Sequence, residues 1–305
     1  MGKLWQAHFS TPALLMAACL LFAVSASHSR ERCETGIPKL QPTWQVTGLR
    51  HPESAELSRD GTFLYVSMVD GEADAADQKG QIARIGLDGT LLDADWLVGL
   101  NAPKGMALKG KRLFVSDLTE LLEIDTKNAR IIARHKIPDS EFLNDVALAP
   151  PGSSMPGAIL VSDSAKGRIS RLHLGKVVEW LRDPQLRSIN GLLALPDALL
   201  VTTMQGLLLA INWRTQNITV LGSGLGDGDG IAKLADQRYL VSEWPGHLYL
   251  VQPGQPNHVL LDTQAEKRLL NDFLLLPPNR NNASPVLIIP HLEPGALTAF
   301  QLDCG

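Results

Sequence analysis

Asn144-Asp145-Val146, Ile159-Leu160-Val161-Ser162-Asp163, Gly167-Arg168-Ile169-Ser170-Arg171-Leu172 and Lys176-Val177-Val178-Glu179-Trp180 decide the fold. They are four short apolar runs, rich in β-branched residues and separated by turn formers, which is the pattern of four consecutive strands. Working outward, the first run recurs as Glu53-Ser54-Ala55, Lys104-Gly105-Met106, Asn190-Gly191-Leu192, Asp229-Gly230-Ile231 and Asn271-Asp272-Phe273. The second recurs as Phe63–Ser67, Leu113–Asp117, Leu199–Thr203, Tyr239–Glu243 and Val286–Pro290. Successive copies begin 51, 40, 46, 39 and 42 residues apart. A period of about 40–45 residues with four strands per unit is the signature of a β-propeller blade. The chain therefore reads as all-β: a six-bladed propeller of four-stranded antiparallel blades. Blades of this size occupy most of the chain, so 43–305 is expected to be one domain behind a 27–42 linker.

A propeller must seal its ring, because an open sheet edge is a template for aggregation. Trp44-Gln45-Val46 and Leu297–Leu302 are the strands expected to pair across the closure. Cys33 and Cys304 flank them. One disulfide clasping the closure is the expectation, with two free thiols as the alternative.

The start of the chain reads as an address. Lys3 is the one charge in 1–26, and an apolar run from Pro12 to Val24 precedes Val24-Ser25-Ala26. This is the layout of a cleavable secretory signal peptide, cut after Ala26, and it implies a secreted or periplasmic protein without a membrane span once the signal is removed. An uncleaved anchor is the competing reading. The run is shorter than the roughly 20 residues a transmembrane helix needs. The formal charge of −4 is spread along the chain without a basic block, which argues against nucleic acid as a partner. We read the protein as a monomer.

The residue opening each inner strand stands at one height in every blade, so Glu53, Lys104, Asn144, Asn190, Asp229 and Asn271 are expected to ring one mouth of the channel. Two carboxylates and several amide oxygens converging on an axis form a hard-oxygen set, which suits calcium better than zinc. Asn and Asp before Gly are also ordinary turn formers, and on spacing alone turn capping competes with cation binding. Gly191 and Gly230 are expected to let the backbone turn beside two candidate ligands. The acidic run Asp70–Asp77 lacks the glycine and glutamate of a calcium loop and reads as a solvated hairpin insertion in blade one. No Gly-x-Ser-x-Gly, dinucleotide fingerprint or zinc spacing occurs.

From Glu53 to Phe300 the chain resembles the gluconolactonase/regucalcin group of six-bladed propellers, and more distantly the paraoxonases. The residues that carry the resemblance are Glu53 in blade one, Asn144-Asp145 in blade three, Asn190-Gly191-Leu192 in blade four and Asp229-Gly230 in blade five. The resemblance implies a divalent cation, calcium by expectation, on Glu53, Asn144, Asn190 and Asp229. Three departures tell against a sugar lactone as substrate. Blade one lacks the Gly-Glu-Gly-Pro form, blade three has Val146 in place of glycine, and Glu141-Phe142-Leu143 carries no arginine for a sugar. The activity implied is metal-dependent hydrolysis of a lactone or ester. Asp229, or Glu53 through a water, would act as base. Lys104 would meet a substrate carboxylate or the developing oxyanion, or else pair with a ring carboxylate. Asn144, Lys104 and Asn271 are the expected substrate contacts. A non-catalytic binding propeller is the alternative, and a lyase or condensing chemistry of the strictosidine-synthase type is a third class without a distinguishing residue.

Overall fold

The structure is a computed structural model that describes residues 36–278 and 283–304. The expected signal peptide and Cys33 lie outside these residues, and so does the Cys33 side of the expected disulfide. Among the described residues, twenty-four strands form six four-stranded sheets. Five blades are continuous in sequence: their inner strands are Pro52–Leu57, Pro103–Lys109, Leu143–Leu148, Ile189–Ala194 and Gly228–Ala235, each followed by three antiparallel neighbours.

The sixth blade is assembled from both ends of the chain. Leu274–Leu276, Val286–His291 and Ala296–Asp303 are joined at the outer edge by Lys39–Thr47. Trp44, Gln45 and Val46 pair with Ala299, Thr298 and Leu297, as expected for a sealed ring. The closing strand starts at Lys39, ahead of the expected domain start at 43. The Trp44 indole N–H donates to the Leu87 carbonyl of blade one at 2.8 Å, which ties the closing strand across the seam.

The core is divided into wedges, one between each pair of neighbouring blades. Between blades one and two, Tyr65, Ile82, Trp96 and Leu100 pack on Met106, Leu113, Val115 and Leu122. Between blades five and six, Leu240, Leu248 and Leu250 meet Leu287, Ile289 and Phe300. The period-2 alternation of the strands explains this packing, because both faces of every blade except its outer strand are covered by a neighbour. Among the described residues no helix is long and apolar enough to cross a membrane.

Candidate functional site

The same irregularity occurs near the start of the inner strands. The first residue pairs with the end of the second strand (Pro103 with Asp117, Leu143 with Asp163, Ile189 with Thr203, Gly228 with Glu243). Regular pairing resumes only at Met106, Val146, Leu192 and Ile231. The skipped positions are the ring residue and its successor. A bulge re-aims side chains and frees backbone groups from the ladder, and here it does so at one height around the axis. Blade six differs, since Asn271 and Asp272 precede its short inner strand and are held by an Asn271 N–H bond to the Pro290 carbonyl at 3.3 Å.

The N–H groups freed by the bulges are taken up by the hydroxyls of the second strands. Ser54, Asp145, Gly191 and Gly230 donate to the hydroxyls of Ser67, Ser162, Thr202 and Ser242 at 3.1, 2.8, 2.9 and 2.8 Å. Ser116, Thr202 and Ser242 in turn donate to the carbonyls of Asn144, Asp229 and Asn271, each a ring residue of the next blade. This hydroxyl belt is why the second strands of blades one to five carry Val-Ser or Val-Thr just before their last residue. The glycines answer to the same crowding, and not to a turn as expected. A Cβ on Gly191 would stand 2.2 Å from the Asp229 carbonyl oxygen, and one on Gly105 2.2 Å from Asp145 Oδ1.

All six ring residues are buried, none more than 7% exposed. Glu53 Oε2 and Asn190 Oδ1 are buried without a hydrogen-bond partner. The Asn271 amide oxygen is engaged by the Leu292 N–H at 3.0 Å, which is the capping role. Lys104 makes no ion pair with a ring carboxylate. Its ammonium donates to the carbonyls of Ala73 at 2.8 Å and Ala102 at 3.1 Å, and stands 4.4 Å from the centre of the Phe142 ring. Residues 70–77 are therefore more than a solvated insertion, because Ala73 reaches the ring and holds its one cation.

A second acidic tier, absent from the expected site, lies directly below. Asp145 accepts from the Leu192 and Val146 N–H groups, both at 2.6 Å, and Asp272 accepts from the Ser54 hydroxyl at 2.6 Å. Glu56 follows two residues after Ser54, on the same face of the blade-one inner strand. Burial, then the nearby Asp272, pushes Glu53 up to about 8, with Lys104 opposing. Burial and Asp272 also push Glu56 up to about 8. Asp229 is held well above the usual carboxylate range by burial and then by Glu53, Asp272 and Asp145. Asp145 is raised the same way, and Asp272 reaches about 6 through burial. Burial lowers the Lys104 ammonium, against the pull of Glu53, Asp117 and Asp74. Glu53 acts electrostatically on both Lys104 and Asp229, across blades one, two and five. The sequence signal that points to the second tier is an Asp directly after the ring Asn in blades three and six.

Among the described residues no three His, Cys, Asp or Glu side chains are disposed to hold a metal. A cation at the ring would thus need the amide oxygens of Asn144 and Asn190 beside Glu53 and Asp229. The donor set fits a hard divalent ion. All four are oxygen donors, and two of their oxygens are buried without partners.

No protein-family model and no curated protein matches the chain. Solved structures do. A "putative gluconolactonase" is 16% identical with a TM-score of 0.59, covering 87% of this chain and 92% of that one. The WD40 β-propeller domain of Doa1 is 8% identical with a TM-score of 0.58, covering 81% and 77%. The β-propeller domain of Myceliophteria thermophila Cps50 (Swd1) is 13% identical with a TM-score of 0.53, covering 87% and 99%. At these identities the likeness is one of fold.

Proposed function

We propose that this protein is an exported, gluconolactonase-like propeller that binds a divalent cation, calcium by preference, at Glu53, Asn144, Asn190 and Asp229 and hydrolyses lactones or esters there. The observation that carries the reading is the pair of orphaned buried oxygens, Glu53 Oε2 and Asn190 Oδ1. An unpaired buried acceptor costs about 1–3 kcal/mol, and two in one ring ask for a shared partner. A bound divalent cation would supply Lewis-acid polarisation of the substrate carbonyl.

The chain's own residues do the rest. With the cation bound, Asp229 would be ionised and would accept the proton of the attacking water. The hydroxyl belt fixes the Asp229 and Asn144 backbones. Lys104, anchored to Ala73, places a positive charge beside the ring without occupying it. The absence of a sugar-binding arginine directs the search to non-sugar lactones and esters. Export follows from residues 1–26, and a Cys33–Cys304 disulfide would secure the closing strand.

The test is a thermal melt after chelation, then with calcium, magnesium, manganese or zinc restored, followed by a lactone and ester panel. A specific site stabilises by about 2.7 kcal/mol at a hundredfold excess over Kd. We expect a calcium-selective rise that Asp229→Ala and Asn190→Ala abolish, with turnover lost in parallel. The absence of any metal effect would favour the competing reading, a non-catalytic binding propeller.

A further inference from the structure

We infer that the half of the channel beyond the ring is a second binding site, for a small organic monocation: a primary ammonium carried on an apolar body. This site is separate from the cation ring and does not rest on the hydrolase reading. A cavity of about 530 Å³ runs from the second acidic tier to the far ends of the inner strands. That is within the 300–1,000 Å³ typical of small-molecule sites (roughly). Its walls are mixed: the half-buried side chains of Leu108, Leu148, Leu195 and Leu275 supply the apolar part, and polar surface of similar extent the rest.

The charged residues lining the cavity are Glu56, Asp145, Asp272 and Lys233. Asp145 is satisfied by two backbone N–H groups, and Asp272 by Ser54 and the Phe273 N–H. Lys233 points its ammonium to Asp236 at 3.3 Å. Glu56 has the Leu108 N–H as its donor, and among the described residues it has no ion-pair partner. The cavity therefore holds acidic groups without a free counter-ion among the described residues, and Glu56 keeps its proton up to about pH 8. An anion would be repelled. A neutral apolar guest would strip water from the carboxylate and return nothing for it. An ammonium on a hydrocarbon body satisfies both parts: charge-assisted hydrogen bonding to Glu56, and burial of the body against the walls.

The test is calorimetric titration of the mature protein with n-hexylamine, hexan-1-ol and hexanoate at mildly alkaline pH, with calcium present throughout. We expect hexylamine to bind at least about tenfold more tightly than the alcohol or the acid, a gap suited to one charge-assisted contact. Glu56→Gln should lose that advantage and Glu56→Asp retain part of it, while circular dichroism shows both folded. Ala194→Phe, which fills the cavity without touching an acid, should weaken hexylamine as well. Failure of hexylamine to bind would overturn the inference, as would equal affinity for hexanol. Unchanged binding in Glu56→Gln or Ala194→Phe would also overturn it, and so would stoichiometric displacement of hexylamine by added calcium.

Discussion

Replacing Glu56 by Gln should make the metal-free protein more stable at neutral pH. The Glu56 carboxyl is raised from 4.5 to about 8 by burial and by Asp272. The folded state therefore keeps a proton that the unfolded state releases above its ordinary pKa. The stability tied to that proton is complete below about pH 4.5 and is lost progressively as the pH rises through about 8. At pH 7 the limiting penalty is about 3.4 kcal/mol, from 2.5 pKa units at 1.36 kcal/mol each (roughly). The Glu56 side chain is partly exposed to solvent, so about 2 kcal/mol of that limit is the expected difference. Gln has the same shape and carries no such term. Urea unfolding of chelated wild type and Glu56→Gln, run at steps from acid to mildly alkaline pH, reads the difference directly. The two proteins should be nearly equal in acid and diverge by about 2 kcal/mol at neutral pH, with unchanged m-values. Parallel curves with a constant offset, or a variant less stable than wild type at neutral pH, would refute the argument.

Three further outcomes are expected. His291 is held neutral, lowered to about 4 by burial and then by Arg268. Its folded form refuses a proton that the unfolded chain accepts, so stability present above about pH 6.5 falls by up to about 3 kcal/mol as the pH drops to 4. An NMR titration that placed the His291 ring near 6.5 would contradict this. Thr202→Val removes the acceptor for the Gly191 N–H and the donor to the Asp229 carbonyl. It should cost about 2–3 kcal/mol in urea unfolding, and a loss under about 0.5 kcal/mol would show that the belt is not structural. Trp44→Ala removes the Leu87 bond and the indole that packs over Gly89, where a Cβ would lie 2.9 Å from the ring. It should destabilise by about 2–3 kcal/mol and make Lys39–Thr47 the first strand to exchange its amides, whereas unchanged protection there would place the closing energy elsewhere.

Periodicity made the fold legible. Four strands per unit and the recurring polar opening of the inner strand depend on local alternation and turn chemistry, which any stretch of the chain carries in itself. For the same reason the closing partners Trp44–Val46 and Leu297–Ala299 and the six ring positions could be read directly. The roles of those positions could not. Asn271 and Asn190 occupy equivalent places in the repeat, yet one amide oxygen caps Leu292 and the other is left without a partner. Lys104 turned to Ala73 because a loop inserted in blade one folds over it. Asp272 raises the proton affinity of Glu53 and Glu56 from more than two hundred residues away in the chain.

The sequence by itself determined the repeat, the blade count and the identity of the residues at the mouth, since these follow from short-range pattern. Only the tertiary structure decided which buried oxygens are left unpaired, which glycines are demanded by a neighbouring blade, and how five carboxyls share one channel with Lys104. Those are properties of burial and of distances across the ring, and a linear chain acquires them only when its ends are brought together.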